Sequence, residues 1–282
     1  EIISLNAAVG NYPKVWKGWE RIKGREETTG NWERRKDKGL VNQNQVLIKD
    51  QIIYYASLTH QKAIRDNNRA LNREAKKGYL LYLKTFPKSK EVPGIMYYLG
   101  DIEYFLRNYK ESGRYYSRIA AMGKAKAVRQ NPKTRKNINI HKEVSVYMVN
   151  SYVKDFEPEF KVLKKRKPNF KKPLPISSKA KNYMAACTRY KKSYPTDKAR
   201  VKSCDTGIAN IYYHSGYKKQ ATSYLKKLAV TYSRDKEGAG AINLLIPMMA
   251  KDTGSLVALS RQLLKIPAYR KGKLGAKLRG LQ

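Results

Sequence analysis

The sequence predicts an all-α fold, built as a stack of antiparallel helical hairpins. Three observations carry that expectation. Apolar and aromatic residues recur at three-and-four spacing almost throughout, as in Val201, Cys204, Ile208, Ile211 and Tyr212, which places them on one helical face. Alternating valine- and isoleucine-rich segments, the mark of half-buried strands, are scarce. One long pattern also occurs twice: "YLKTFPKSKEVPGIMYYLGDIEYFLRNYKESGRYYSRI" from Tyr82 returns as "YKKSYPTDKARVKSCDTGIANIYYHSGYKKQATSYLKKL" from Tyr190.

Taken in order, residues 1–39 hold Trp16, Trp19, Trp32 and five glycines and read as an irregular N-terminal helical element. Punctuation then cuts the chain into helices at roughly 40–60, 66–85, 91–106, 110–128 and 137–154, and again at 177–193, 198–214, 218–231, 236–250 and 253–266. Ten helices make five hairpins. Short breaks such as "RNYK", "YPTDK" and "HSGYK" make consecutive helices antiparallel neighbours. Between the two groups, 40–154 and 177–266, lies "DFEPEFKVLKKRKPNFKKPLPISS". Its four prolines and lysine cluster predict an extended basic insertion at 155–176, with Val162, Leu163, Phe170 and Leu174 docked on the helices and the lysines facing outward. Residues 267–282 read as a basic tail.

Charge dominates the composition: 60 Lys and Arg stand against 22 Asp and Glu, a formal net of +38. Such a surplus repels itself and favours polyanionic company, whether nucleic acid, acidic protein faces, anionic lipid or cell-wall polymer. Acids vanish over long intervals. Ser112 to Lys142 holds nine cationic side chains and no carboxylate, Phe160 to Thr196 twelve and none, Thr253 to Gln282 seven and none. Pairing within helices cannot neutralise these blocks. The cluster Lys164, Lys165, Arg166, Lys167, Lys171 and Lys172 is the densest and is a candidate binding surface.

No run approaches the roughly 18 apolar residues of a membrane helix. The chain opens "EIISLNAAVG", without an initiator Met or a signal-peptide pattern, and reads as a processed or truncated product.

Superimposing Phe86-Pro87 on Tyr194-Pro195 gives an offset of 108, which also aligns Tyr104 with Tyr212, Tyr109 with Tyr217 and Tyr116 with Tyr224. An offset near three times a helix-turn-helix unit of 34 to 38 residues implies further units between the copies. With Leu99-Gly100, Asn108-Tyr109 and Tyr116 in their slots, the first copy resembles the tetratricopeptide repeat. It departs at Met96, Glu103 and Ser112, where that pattern has Trp, Tyr and Ala; in the second copy Gly207-Ile208 fills the Leu-Gly slot and Ala221 falls one place late. The run from Ile211 to Ala241 resembles the bacterial envelope branch of the family, the TolA-binding, outer-membrane-assembly and gliding-machinery type. The resemblance covers about residues 66–266 and implies a superhelical α-solenoid. It also implies a scaffold without chemistry or cofactor of its own, in the periplasm or at the membrane-associated envelope, whose partners are other proteins, acidic ones or subunits of an envelope complex. By the same resemblance the first helix of each hairpin lines a concave groove, which puts Tyr97, Asp101, Tyr104, Asp205, Tyr212 and Tyr213 on a partner-binding face. Most other tyrosines at helical spacing are expected in the core.

The search for catalytic signatures finds little. His60, His141 and His214 are scattered and, with two cysteines, make no zinc-site spacing; there is no phosphate-binding glycine loop and no nucleophile elbow. The expected function is therefore a non-catalytic interaction scaffold with no metal. The alternative is a helical-repeat nucleic-acid binder using basic residues on phosphates and tyrosines on bases. Cys187 and Cys204 stand at equal distances from the turn "SYPTDK", hence at equal height on paired helices. Two readings stand: a disulfide suited to an oxidising compartment, or two reduced thiols packed as small hydrophobes.

Overall fold

The structure is a computed structural model and describes residues 14–18, 20, 21, 38–130, 134 and 136–282, with backbone only for 38–45. Most of the N-terminal element, including Trp19 and Trp32, lies outside the described residues. Among the described residues the fold is all-α apart from one small ribbon. Its elements are α1 (Lys38–Arg65), α2 (Arg69–Thr85), α3 (Val92–Phe105), α4 (Tyr109–Ala121), β1 (Val128–Gln130), β2 (Asn137–Asn139), α5 (His141–Lys165), α6 (Ser178–Ser193), α7 (Lys198–His214), α8 (Lys218–Thr231), α9 (Lys236–Met249), α10 (Thr253–Leu264), a 3₁₀ turn (Pro267–Tyr269) and α11 (Gly272–Arg279). Most consecutive helices pack on one another, and the described residues fall into two compact units that part between Ser151 and Tyr152.

Starts follow local chemistry. The side chain of Asn68 accepts from the amides of Ala70 and Leu71, Ser177 from Ala180, Asp197 from Arg200 and Asp252 from Ser255, each satisfying donors that the first helical turn leaves orphaned. Pro93 occupies the first turn of α3, where its missing N–H costs nothing.

The internal repeat is real, and its register is legible in the backbone. After α1, Asn67 has φ +46°, with Asn68 N bonded to Ala63 O and Asn72 N to Asn68 O. After α3, Arg107 has φ +67°, with Asn108 N on Glu103 O and Ser112 N on Asn108 O. After α7, Gly216 has φ +83°, with Tyr217 N on Tyr212 O and Ala221 N on Tyr217 O. Three hairpins thus close with one turn, and the residue five positions past its left-handed centre, Asn72, Ser112 or Ala221, is buried each time.

The spacing corrects the sequence alignment. Before α3 and α7 the offset is 108: Tyr82 tilts on Phe86 and Tyr190 on Tyr194, both at 5.4 Å, while the Tyr82 hydroxyl meets Ser89 Oγ at 2.8 Å and the Tyr190 hydroxyl donates to Asp197 at 2.6 Å. At the following turn the offset is 109. The longer α7, 17 residues against 14 in α3, absorbs the difference. Ala221 is therefore the counterpart of Ser112 and not displaced. The first two turns lie 40 residues apart, longer than the 34 of the tetratricopeptide pattern.

Three further expectations are corrected. The segment 110–128 is not one helix: Gly123, at φ +81°, ends α4, and Val128–Gln130 pairs antiparallel with Asn137–Asn139, with Arg129 opposite Ile138. Ala127 and Ile140 anchor the ribbon in the core through Ile140 N to Ala127 O at 2.9 Å. The expected insertion at 155–176 is helical to Lys165, running through Pro158. Buried Phe156, stacked on Tyr183, and the ion pairs of Glu157 with Lys154 and Lys161 hold the helix across the bond that proline cannot make. The basic tail is packed as well: Tyr269 is buried and donates its hydroxyl to Ala229 O at 2.7 Å, and Leu278 joins the same core.

Each unit has its own apolar centre. In the first, Trp16 is packed so close to Gly78 that a Cβ there would lie 2.5 Å from its ring, and Tyr79, Tyr82, Leu99 and Ile102 surround it. In the second, Leu225, Leu228, Ile242, Leu245, Leu259 and Leu263 form the centre.

Candidate functional site

In the first unit, Tyr97, Asp101 and Tyr104 lie along α3, but only Tyr104 is exposed. Tyr97 is buried: it donates to Glu143 Oε1 at 2.7 Å, and the Arg129 guanidinium lies 4.7 Å over its ring. Tyr147 donates to the same Glu143 oxygen at 3.2 Å, and Tyr116 donates to Asp101 Oδ1 at 2.5 Å. Burial pushes the Asp101 carboxyl up to about 6, with the nearby Glu143 charge adding to the rise and the Tyr116 hydrogen bond and Arg129 opposing it. Burial likewise raises the Tyr97 and Tyr116 phenols above their ordinary range, so both stay protonated donors. This is a buried hydrogen-bonded network tying α3, α4 and α5 together, with Arg129 of β1 laid over the Tyr97 ring, and not an open groove. Tyr104, 37% exposed, rests edge-on against Tyr109 at 5.1 Å and remains available to a partner.

In the second unit, Asp205 is the largest correction. Expected on a binding face, it is completely buried and held by Lys191 of α6 at 2.5 Å and Lys227 of α8 at 2.9 Å. A carboxylate between two helices that each bring an ammonium is a staple, and buried charge persists only when paired in this way. Tyr212 is half-buried between Tyr217 and Tyr224. Tyr213 is covered by Phe170, whose ring meets it edge-on at 5.8 Å.

The basic cluster lies where the chain leaves α5. Lys164, Lys165, Arg166, Lys167, Lys171 and Lys172 are all exposed, and among the described residues none makes an ion pair; Lys164 sits 5.5 Å over the Phe160 ring. The segment that follows α5 is docked in part, as expected. Asn169 Oδ1 accepts from the amides of Lys171 and Lys172, Leu174 N donates to Ser215 O at 2.8 Å, and Asn169 O is packed so tightly on Gly216 that no Cβ would fit. Phe170 packs inward, whereas Val162 and Leu174 stay exposed. Between this strap and α5 opens an apolar recess of about 240 Å³, walled by Val162, Leu163, Leu174, Pro175, Ile176 and Ala180 with Glu159 and Arg166 at its polar edge. Sequence reasoning missed the recess. Its walls come from nearby stretches, residues 159–166 and 174–180, which face one another only in the folded chain, where Leu174 N also seats the strap on Ser215 O.

Cys187 and Cys204 interact with one another, as the matched heights predict: both are buried, and they are free thiols in this structure. Burial pushes the Cys187 thiol well above its ordinary range. Among the described residues no group of three or more His, Cys, Asp or Glu side chains is placed to hold a metal, and no helix is long and apolar enough to cross a membrane. In comparisons with known families and with curated proteins, no family model and no relative matches the chain.

Proposed function

We propose that this chain is a non-catalytic protein-interaction scaffold of tetratricopeptide-like hairpins, working in a bacterial envelope complex at the periplasmic face. The observation that carries the reading is the turn used three times, at Asn67, Arg107 and Gly216. A hairpin cannot bury its apolar face alone, so repeated hairpins exist to be stacked, and stacking yields an extended surface whose outward residues are free to vary toward partners. The exposed Tyr104 and the unpaired cations beyond α5 supply such outward residues. The envelope assignment rests on the sequence resemblance and on the juxtaposed cysteines, which suit an oxidising compartment.

A second reading, a nucleic-acid binder, is favoured by one observation, the net charge of +38. Titration of the whole protein with single-stranded RNA and duplex DNA across salt concentrations separates the two, since phosphate neutralisation makes log affinity fall linearly with log salt. The scaffold reading expects weak, sequence-blind binding that disappears by physiological salt, together with an envelope protein retained on the immobilised chain after nuclease treatment. Tight nucleic-acid binding at physiological salt, with no protein retained, would overturn it.

A further inference from the structure

The recess between α5 and the strap has aliphatic walls and a cation, Arg166, at its edge. Its walls, Val162, Leu163, Leu174, Pro175, Ile176 and Ala180, are aliphatic, and its volume of about 240 Å³ exceeds the roughly 150 Å³ that accepts a benzene ring in an engineered core. It can take one large apolar side chain. Beyond Arg166 at its edge, the exposed cations Lys164, Lys165, Lys167, Lys171 and Lys172 lie within a few residues of its walls in the chain, in an interval from Phe160 to Thr196 that contains no carboxylate. The strap that forms one wall is pinned by Leu174 N to Ser215 O, by the tight seat of Asn169 on Gly216 and by Phe170 against Tyr213, so the recess is part of the fold before any partner arrives.

We infer that this recess is a docking site for an acidic peptide segment of a partner protein, with one bulky aliphatic side chain inserted among Val162, Leu163 and Leu174 and flanking carboxylates on Lys164, Arg166, Lys171 and Lys172. The inference rests on the scaffold reading and names the partner's chemistry. Charge complementarity selects an acidic ligand. The aliphatic walls then select a peptide over a nucleic acid: phosphates would satisfy the cations but leave the recess empty, and the nearby rings offer no platform for bases, because Phe160 tilts on Phe156 and meets His214, while Tyr213 lies under Phe170. Glu159 at the rim repels acids directly above it, which centres the apolar anchor and pushes the partner's carboxylates outward to the lysines.

The test uses the full chain and two fluorescein-labelled decapeptides of alternating aspartate and glutamate, one with two central leucines and one with two central serines, and a single-stranded oligonucleotide of matched charge. At 0.15 M salt the leucine peptide is expected to bind about tenfold tighter than the serine peptide, the increment expected for burying much of one aliphatic side chain. The double variant Val162→Ser/Leu174→Ser is charge-neutral and alters two exposed positions, so it should fold; it is expected to erase the tenfold difference while leaving serine-peptide binding unchanged. Arg166→Gln should weaken both peptides. Equal binding of the two peptides, or oligonucleotide binding as tight as the leucine peptide and untouched by the double variant, overturns the inference. The scaffold reading fails separately: an envelope protein retained equally by wild type and the double variant removes this site alone, whereas retention of nucleic acid only removes the scaffold.

Discussion

Replacing Asp205 by asparagine tests whether this residue belongs to the fold or to a binding face. The carboxylate has no exposed surface, and Lys191 and Lys227 contact it from the two helices that flank α7. Asparagine keeps the size and removes the charge, leaving Lys191, itself only 18% exposed, as a buried cation without a counter-ion. Breaking a buried pair from one side costs about 3–5 kcal/mol. Lys227 is about half exposed and can turn to water, so the lower end, about 3 kcal/mol, is expected. For a unit the size of residues 152–282 that corresponds to a fall of roughly 10 °C in melting temperature. Calorimetry of the full chain measures it. Adding Lys191→Met to Asp205→Asn should recover part of the loss, because the stranded cation is gone and its stem is replaced by apolar volume. By contrast Lys202→Ala, whose bridges to Asp235 and Glu237 are open to water, should move the transition far less. A melting temperature within about 2 °C of wild type for Asp205→Asn would refute the staple and return this residue to the binding face.

His60, packed among Tyr79 and Tyr98, has its pKa lowered by burial to about 4, below the ordinary 6.5, so it is held neutral. Its stabilising contribution is complete above pH 6.5 and is lost as pH falls toward 4, about 3 kcal/mol in all; in urea titrations wild type should lose that much relative to His60→Gln between pH 7.5 and 4, and parallel curves would refute it. Asp101, raised to about 6, acts in the opposite sense, losing its contribution as pH rises through 6, and cancels in this comparison because both proteins carry it. Gly100→Ala should destabilise by about 1–2 kcal/mol, since its Cβ would lie 2.6 Å from a Tyr116 ring that Asp101 prevents from swinging away; Gly240→Ala, exposed in α9 with nothing within 4 Å, should stabilise by up to about 1 kcal/mol, and a thermal melt that rose for the first or fell for the second would refute that prediction. Oxidation of the purified protein is expected to join Cys187 and Cys204 within one chain, seen as a two-hydrogen mass loss without dimer, and to raise stability by about 3 kcal/mol; mixed intermolecular disulfides would show that the thiols do not meet.

The sequence by itself determined the helical class, most helix ends, the internal repeat and the juxtaposition of the two cysteines. All of these rest on local chemistry: periodicity puts apolar residues on one face, Asn68, Ser177 and Asp197 cap helices through neighbours a few residues away, and equal distance from a turn means equal height. Local signals do not decide the ribbon after Gly123, and at Pro158 a strong breaking tendency is outweighed by Phe156 packing on Tyr183. Only the tertiary structure decided which members of the expected groove face solvent. Tyr97, Asp101 and Asp205 have the composition of a recognition surface, yet their partners Glu143, Tyr116, Lys191 and Lys227 lie 46, 15, 14 and 22 residues away and close over them. The recess between α5 and the strap was illegible because its walls, though near in the chain, face one another only once the strap is seated on the end of α7. Burial is a sum over neighbours distant in the chain, and a one-dimensional pattern records which face of a helix is apolar but not what comes to cover it.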